Sequence, residues 1–134
     1  MKNNMNKNHC AGEICQSVCQ SFSSVLKNIR EQIELDSFSK PTQPQANEIA
    51  LIMAEVMIMS SNATLRIESE DKSADMVQTI FRCITHEHVE LVLEKFSKIT
   101  YPIFNKKAYL RTALYNSVFE LESHYSNLVE VNLK

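Results

Sequence analysis

Glycine is almost missing from this chain: Gly12 is the only one in 134 residues. Tryptophan is absent, and proline occurs three times, at Pro41, Pro44 and Pro102. β-Sandwiches need turn glycines and phosphate-binding loops are built from them, so both are excluded. An excess of positive charge is lacking too: 14 Lys and Arg stand against 16 Asp and Glu, a formal net charge of −2. A dedicated DNA-binding domain usually carries a positive balance that neutralises phosphate. The bulk charge therefore argues against autonomous DNA binding and leaves room only for a local basic patch. The longest apolar run, IALIMAEVMIM from Ile49 to Met59, contains a glutamate and is too short to span a bilayer. The opening MKNNMNKNH has no apolar stretch of the secretory kind. A cytoplasmic protein with reduced cysteines is expected.

What is present is helical periodicity. Cys15, Val18, Cys19, Phe22, Leu26, Ile29 and Ile33 recur at steps of three and four on one face, and that first helix should end near Asp36. SFSKPTQPQAN reads as a loop, with Asn47 or a neighbour capping a second, nearly all-apolar helix over 46–60. Met53, Met57 and Met59 should fill core gaps in it. TLRI, from Thr64, is β-branched and weakly alternating, which suits a short extended piece. Ser73 and Thr85 fit as N-caps of two further helices, the second stopped by Tyr101-Pro102. Two last helices are expected over 105–118 and 120–131, the latter carrying Leu121, Tyr125, Leu128 and Val129. The expected fold class is all-α, a compact bundle of about five to six helices with one short extended segment near 64–68. Residues 1–12 read as a flexible leader and 13–134 as a single helical domain.

Catalytic chemistry is not legible. His9, Cys10, Cys15 and Cys19 offer zinc-type ligands, but in C-x4-C-x3-C spacing, and Cys15 and Cys19 already fit the apolar stripe. Cys83 reads as one more buried helix residue. His86 and His88 are two apart, where a metalloprotease helix needs its histidines four apart, so they read as polar residues at a helix start. Glu68, Glu70, Asp71 and Asp75 form an acidic patch without a base or metal ligand beside it. No catalytic residue, cofactor or metal is assigned, and the chain is read as a non-enzyme.

The densest positive charge is elsewhere. From Lys95 to Phe119 there are five cations, Lys95, Lys98, Lys106, Lys107 and Arg111, and no acidic residue. On a helical wheel Tyr109, Leu110, Ala113, Leu114 and Val118 share one side, which should face the core. Ala108, Arg111, Thr112, Tyr115 and Phe119 fall on the other. Arg and Tyr are common interface anchors and can also stack on bases. Lys106, Lys107, Arg111, Tyr115 and Phe119 are therefore the expected contact surface. Tyr109, Leu110, Leu114 and Asn116 form the motif that holds the helix in place.

Three stretches, VLKNIREQIELD, ATLRIESEDKSADMVQTIFRCITHEHVELVLEKF and NKKAYLRTALYNS, together resemble the C-terminal domain of RepA-type replication initiators of plasmids and conjugative elements in Gram-positive bacteria. The likeness spans roughly residues 22–131. That domain is similar in turn to the helical DnaD-type module, which ends in a Y-x-x-x-I-L-x-x-W helix. Here Tyr109, Ala113 and Leu114 match its first positions, and Ser117 stands where the tryptophan would be. Any single-stranded DNA contact through that aromatic would fall to Tyr115 or Phe119. The resemblance implies a mobile-element replication module that recruits a host partner, primase or helicase-loading machinery. It implies no origin recognition, since the winged-helix domain of such initiators has no room in this chain. Two rival expectations are a DNA-binding accessory domain using the arc 95–119 and a self-associating structural or regulatory helical protein.

Overall fold

The computed structural model describes residues 21–133, and the side chains of residues 21–123. The leader, Cys10, Cys15 and Cys19 lie outside the described residues, as do the side chains of Tyr125, Leu128 and Val129. Five α-helices and one antiparallel hairpin make up the described part, so the protein is mostly helical but not strictly all-α.

Helix α1, described over 21–32, turns Leu26, Ile29 and Ile33 into the core at the spacing read from the sequence. Its end shows what scarce glycine entails. Glu34 adopts a left-handed φ of 53°, a conformation that a residue with a Cβ enters at a cost of about 1–2 kcal/mol. A short 3-10 turn, Leu35–Ser37, follows.

Helix α2 spans Gln43–Met57 and starts earlier than expected. Thr42 is its N-cap residue and Pro44 sits in the first turn, where a missing N–H breaks no helical hydrogen bond. Asn47 is thus inside the helix, and its Oδ1 accepts from Arg30 Nε at 2.9 Å, tying α2 to α1. Ile49, Met53 and Val56 are buried, so this helix runs through the centre of the core.

Strand β1, Thr64–Ile67, is the expected extended segment, and it has a partner, β2, Glu70–Ser73. The register pairs Thr64 with Ser73 and Ile67 with Glu70 around a two-residue turn. Glu68, the first turn residue, has φ 61°, again where glycine is usual. Alternation sends Leu65 and Ile67 inward and Arg66 outward.

Helix α3, Ala74–Phe81, is capped by Ser73, whose side chain accepts the Met76 N–H at 3.2 Å. Val77 and Phe81 face the core, whereas Met76 is exposed. Cys83 follows the helix and is exposed, not buried. Helix α4, His86–Ser97, starts at Thr85 and buries Val89 and Val92. His88 takes the place that Glu or Gln holds in a capping box: the Thr85 N–H donates to its Nδ1 at 2.9 Å. Partial burial lowers the pKa of His88 below the usual imidazole value, against a smaller opposing effect of Glu87.

Glutamine amides close helix ends that elsewhere use a C-terminal glycine. Gln78 Nε2 donates to Val56 O at 3.0 Å and Met59 O at 2.8 Å, where α2 ends. Gln32 Nε2 donates to Phe81 O at 3.1 Å and Ile84 O at 2.7 Å, where α3 ends. His86 Nδ1 donates to Ile33 O, beyond α1, at 3.0 Å, and its ring stacks on Phe38 with centroids 3.9 Å apart.

Candidate functional site

Helix α5 runs unbroken over Lys106–Leu133, 28 residues, where the sequence suggested two helices. No glycine or proline occurs after Pro102, so nothing stops it at residue 119. Asn105 caps its start: the Ala108 N–H donates to Asn105 Oδ1 at 3.0 Å. Phe104, just before the cap, is fully exposed, and Tyr101 in the same loop is 64% exposed. The expected staple partner of Phe104 is Tyr109, which packs instead on Phe96, centroids 5.8 Å apart.

The inner side of α5 follows the wheel: Leu110, Leu114 and Val118 are buried and Tyr109 and Ala113 are half-buried. Ser117 joins them with no exposed surface, its Oγ–H donating to Leu114 O at 2.7 Å. The position that carries tryptophan in the resembled motif is therefore sealed in the core.

Tyr115 departs from the expected contact surface. It is 6% exposed. The hairpin packs on α5 and covers it. The Lys72 ammonium lies 5.7 Å from the Tyr115 ring centre, and Phe119 tilts against the same ring at 5.4 Å. Phe119 itself is exposed. The hairpin turn is pinned one turn further round: Glu68 N–H donates to Thr112 Oγ1 at 3.3 Å, and Asn116 Nδ2 donates to Glu68 Oε2 at 3.2 Å. Asn116 thus positions the hairpin. A cleft of about 270 Å³ opens beside it, with Glu68, Lys95, Asn116 and Glu120 on its walls.

The charge of the arc is the decisive feature. Lys95 pairs with Glu120 at 2.7 Å, Lys98 with Glu94 at 3.4 Å, Lys106 with Glu48 at 3.0 Å and Lys107 with Glu55 at 3.0 Å. Glu48 and Glu55 come from α2, more than fifty residues away in sequence, and lie on one face of that helix. Exposed pairs of this kind contribute about 0–1 kcal/mol each. Their main consequence is electrostatic: a stretch free of acids in sequence is nearly neutral on the surface. The acidic patch is similarly offset, with Arg66 on Asp71 at 2.9 Å and Lys72 on Glu70 at 3.0 Å. The hydrogen bond to Glu70 raises the Lys72 pKa above the ordinary lysine value, partly opposed by burial.

A family described as of unknown function, DUF6017, has a model that matches residues 7–134. The chain belongs to DUF6017. No curated protein and no solved structure matches it. For this DUF6017 chain, the functional reading therefore rests on the surface geometry and the quoted motifs.

The histidines and Cys83 of this DUF6017 chain form no metal-binding group among the described residues. His86 and His88 are engaged at the start of α4, as polar helix-start residues. No helix among the described residues is long and apolar enough to cross a membrane. No local sequence signal marks the α2 glutamates as partners of Lys106 and Lys107, because each pair joins elements that only the fold brings together.

Proposed function

We propose that this chain is a non-enzymatic, protein-recruiting module of a mobile-element replication initiator, acting in the cytoplasm on a host primase or helicase-loading component. The observation that carries the reading is the carboxylate beside each lysine of the arc. A nucleic-acid surface depends on unneutralised cations that displace counterions from phosphate. A protein interface depends more on exposed aromatic and arginine anchors in a near-neutral field. Arg111 and Phe119 on α5, with Tyr101 and Phe104 in the preceding loop, supply such anchors. Lys106 and Lys107 form the polar rim beside them. Tyr115 supports Phe119 from below. The resemblance of the quoted motifs to initiator C-terminal domains supplies the replication context.

The test is a pair of titrations. Labelled single- and double-stranded DNA at low and moderate salt should bind weakly or not at all. Purified host primase or replicative helicase components should bind, with affinity reduced in Arg111→Ala/Lys107→Ala. Tight, salt-sensitive DNA binding lost in that double variant would replace this reading with the DNA-binding one. Binding to neither, with a size in solution that grows with concentration, would favour self-association.

A further inference from the structure

Arg111 is the exception within the arc. Its Nε is buried and has no hydrogen-bond partner, the one side-chain nitrogen or oxygen in that state among the described residues. The inner edge of the guanidinium is therefore sunk into the protein surface. The guanidinium also lacks the carboxylate that each lysine of the arc has. The side chain as a whole is only half-buried, and its two Nη nitrogens reach the surface. The stem is thus held by packing while the outer edge of the fork is free.

A guanidinium is planar, and its two Nη groups present parallel N–H donors at the spacing of a carboxylate. Holding the stem lowers the entropy lost when that fork engages a ligand. The surroundings set the charge of the ligand. One turn before Arg111, Lys107 is tied to Glu55; one turn after it, Tyr115 lies beneath Lys72, which is tied to Glu70. The two lysines are each neutralised, Glu68 adds a further carboxylate near Lys72, and Arg111 is the cation of these turns without a carboxylate of its own. One carboxylate balances it. A nucleic-acid strand brings a row of phosphates to a place with one free cation.

We propose that Arg111 is a pre-oriented clamp for a single carboxylate of the recruited protein, an Asp or Glu side chain or a C-terminus, taken end-on by Nη1 and Nη2. This deepens the protein-recruiting reading and rests on it.

The test follows the Arg111 Nε–Hε signal in ¹H–¹⁵N spectra of the full chain. The probes are acetylated, amidated hexaglutamate and an oligothymidylate of equal charge, at matched ionic strength. Hexaglutamate should move the signal saturably, and the oligothymidylate should move it less. Arg111→Lys keeps the charge and loses the fork. It should weaken hexaglutamate binding by about tenfold or more, read on the backbone amides of the same helical turn. Lys107→Gln should weaken it less. The proposal is overturned by an unsaturable response in the unaltered chain, by undiminished binding in a folded Arg111→Lys, or by a stronger response to the oligothymidylate. Hexaglutamate binding without any primase or helicase binding would keep the clamp and sink the choice of partner. The reverse pattern would sink the clamp alone.

Discussion

On its inner side α5 buries Leu110, Leu114, Ser117 and Val118; on its outer side it holds Lys106, Lys107 and Arg111 at the surface. Helix α5 lies against α2, α3, α4 and strand β1 of the hairpin. The outer lysines touch those elements through exposed ion pairs, and Lys106 also lies over the Phe96 ring at 5.1 Å. Burial of apolar surface scales with the area removed from water, whereas exposed pairs lose most of their attraction to solvent. The inner side therefore carries stability. The outer side carries little of it and decides what the surface can attract.

The strongest way to break this contrast is at Leu114, which has no exposed surface. Leu114→Ala should lower the unfolding free energy by about 2–5 kcal/mol, read by urea denaturation. A loss well under about 1 kcal/mol would mean that the inner side is not the packed one. Gln78→Ala extends the same question to a polar member of the core. It leaves the carbonyls of Val56 and Met59 without this donor, so a loss of about 1–3 kcal/mol is expected. If the melting temperature does not move, water serves those carbonyls and the amide cap is dispensable.

A weaker, pH-dependent effect is expected from His88. Its pKa is lowered on folding, so the folded chain binds the proton less readily than the unfolded one. The contribution is fully present above the unfolded imidazole value of about 6.5 and is lost as pH falls through the lower folded pKa. His88→Gln retains an acceptor for the Thr85 N–H and should flatten the dependence of stability on pH below about 6.5. An unchanged profile would place the titration elsewhere. The smallest change belongs to the outer side. Lys107→Ala and Glu55→Ala should each alter stability by about 0–1 kcal/mol, with a coupling in the double variant that shrinks as salt is added. A coupling of several kcal/mol would make the pair part of the scaffold and erase the contrast.

The periodic parts of the fold were legible in the sequence. Leu26, Ile29 and Ile33 follow helical spacing in both sequence and structure, and Ser73 and Thr85 start the helices they were expected to start. Local signals failed where the answer depended on another element. TLRI read as an extended piece, but Glu70–Ser73 gave no comparable signal of its own, because its polar residues form a strand only by pairing with β1. Tyr115 read as outward on a wheel drawn for one helix, and the hairpin turned it into core. The break expected between residues 118 and 120 had no breaker behind it.

By itself, the sequence determined the helical character, through apolar spacing and the scarcity of glycine and proline. It also determined that the described helices end without a C-terminal glycine, since Gly12 is the only glycine in the chain. Tertiary structure decided which residues cap those ends instead, and Gln32 and Gln78 reach across the core to do so. It also decided the character of the arc. Coulomb interactions depend on distance in space, and the fold brings Glu48 and Glu55 to Lys106 and Lys107, which have no acidic neighbour along their own stretch of chain, and Glu120 to Lys95, leaving Arg111 alone unpaired among the five.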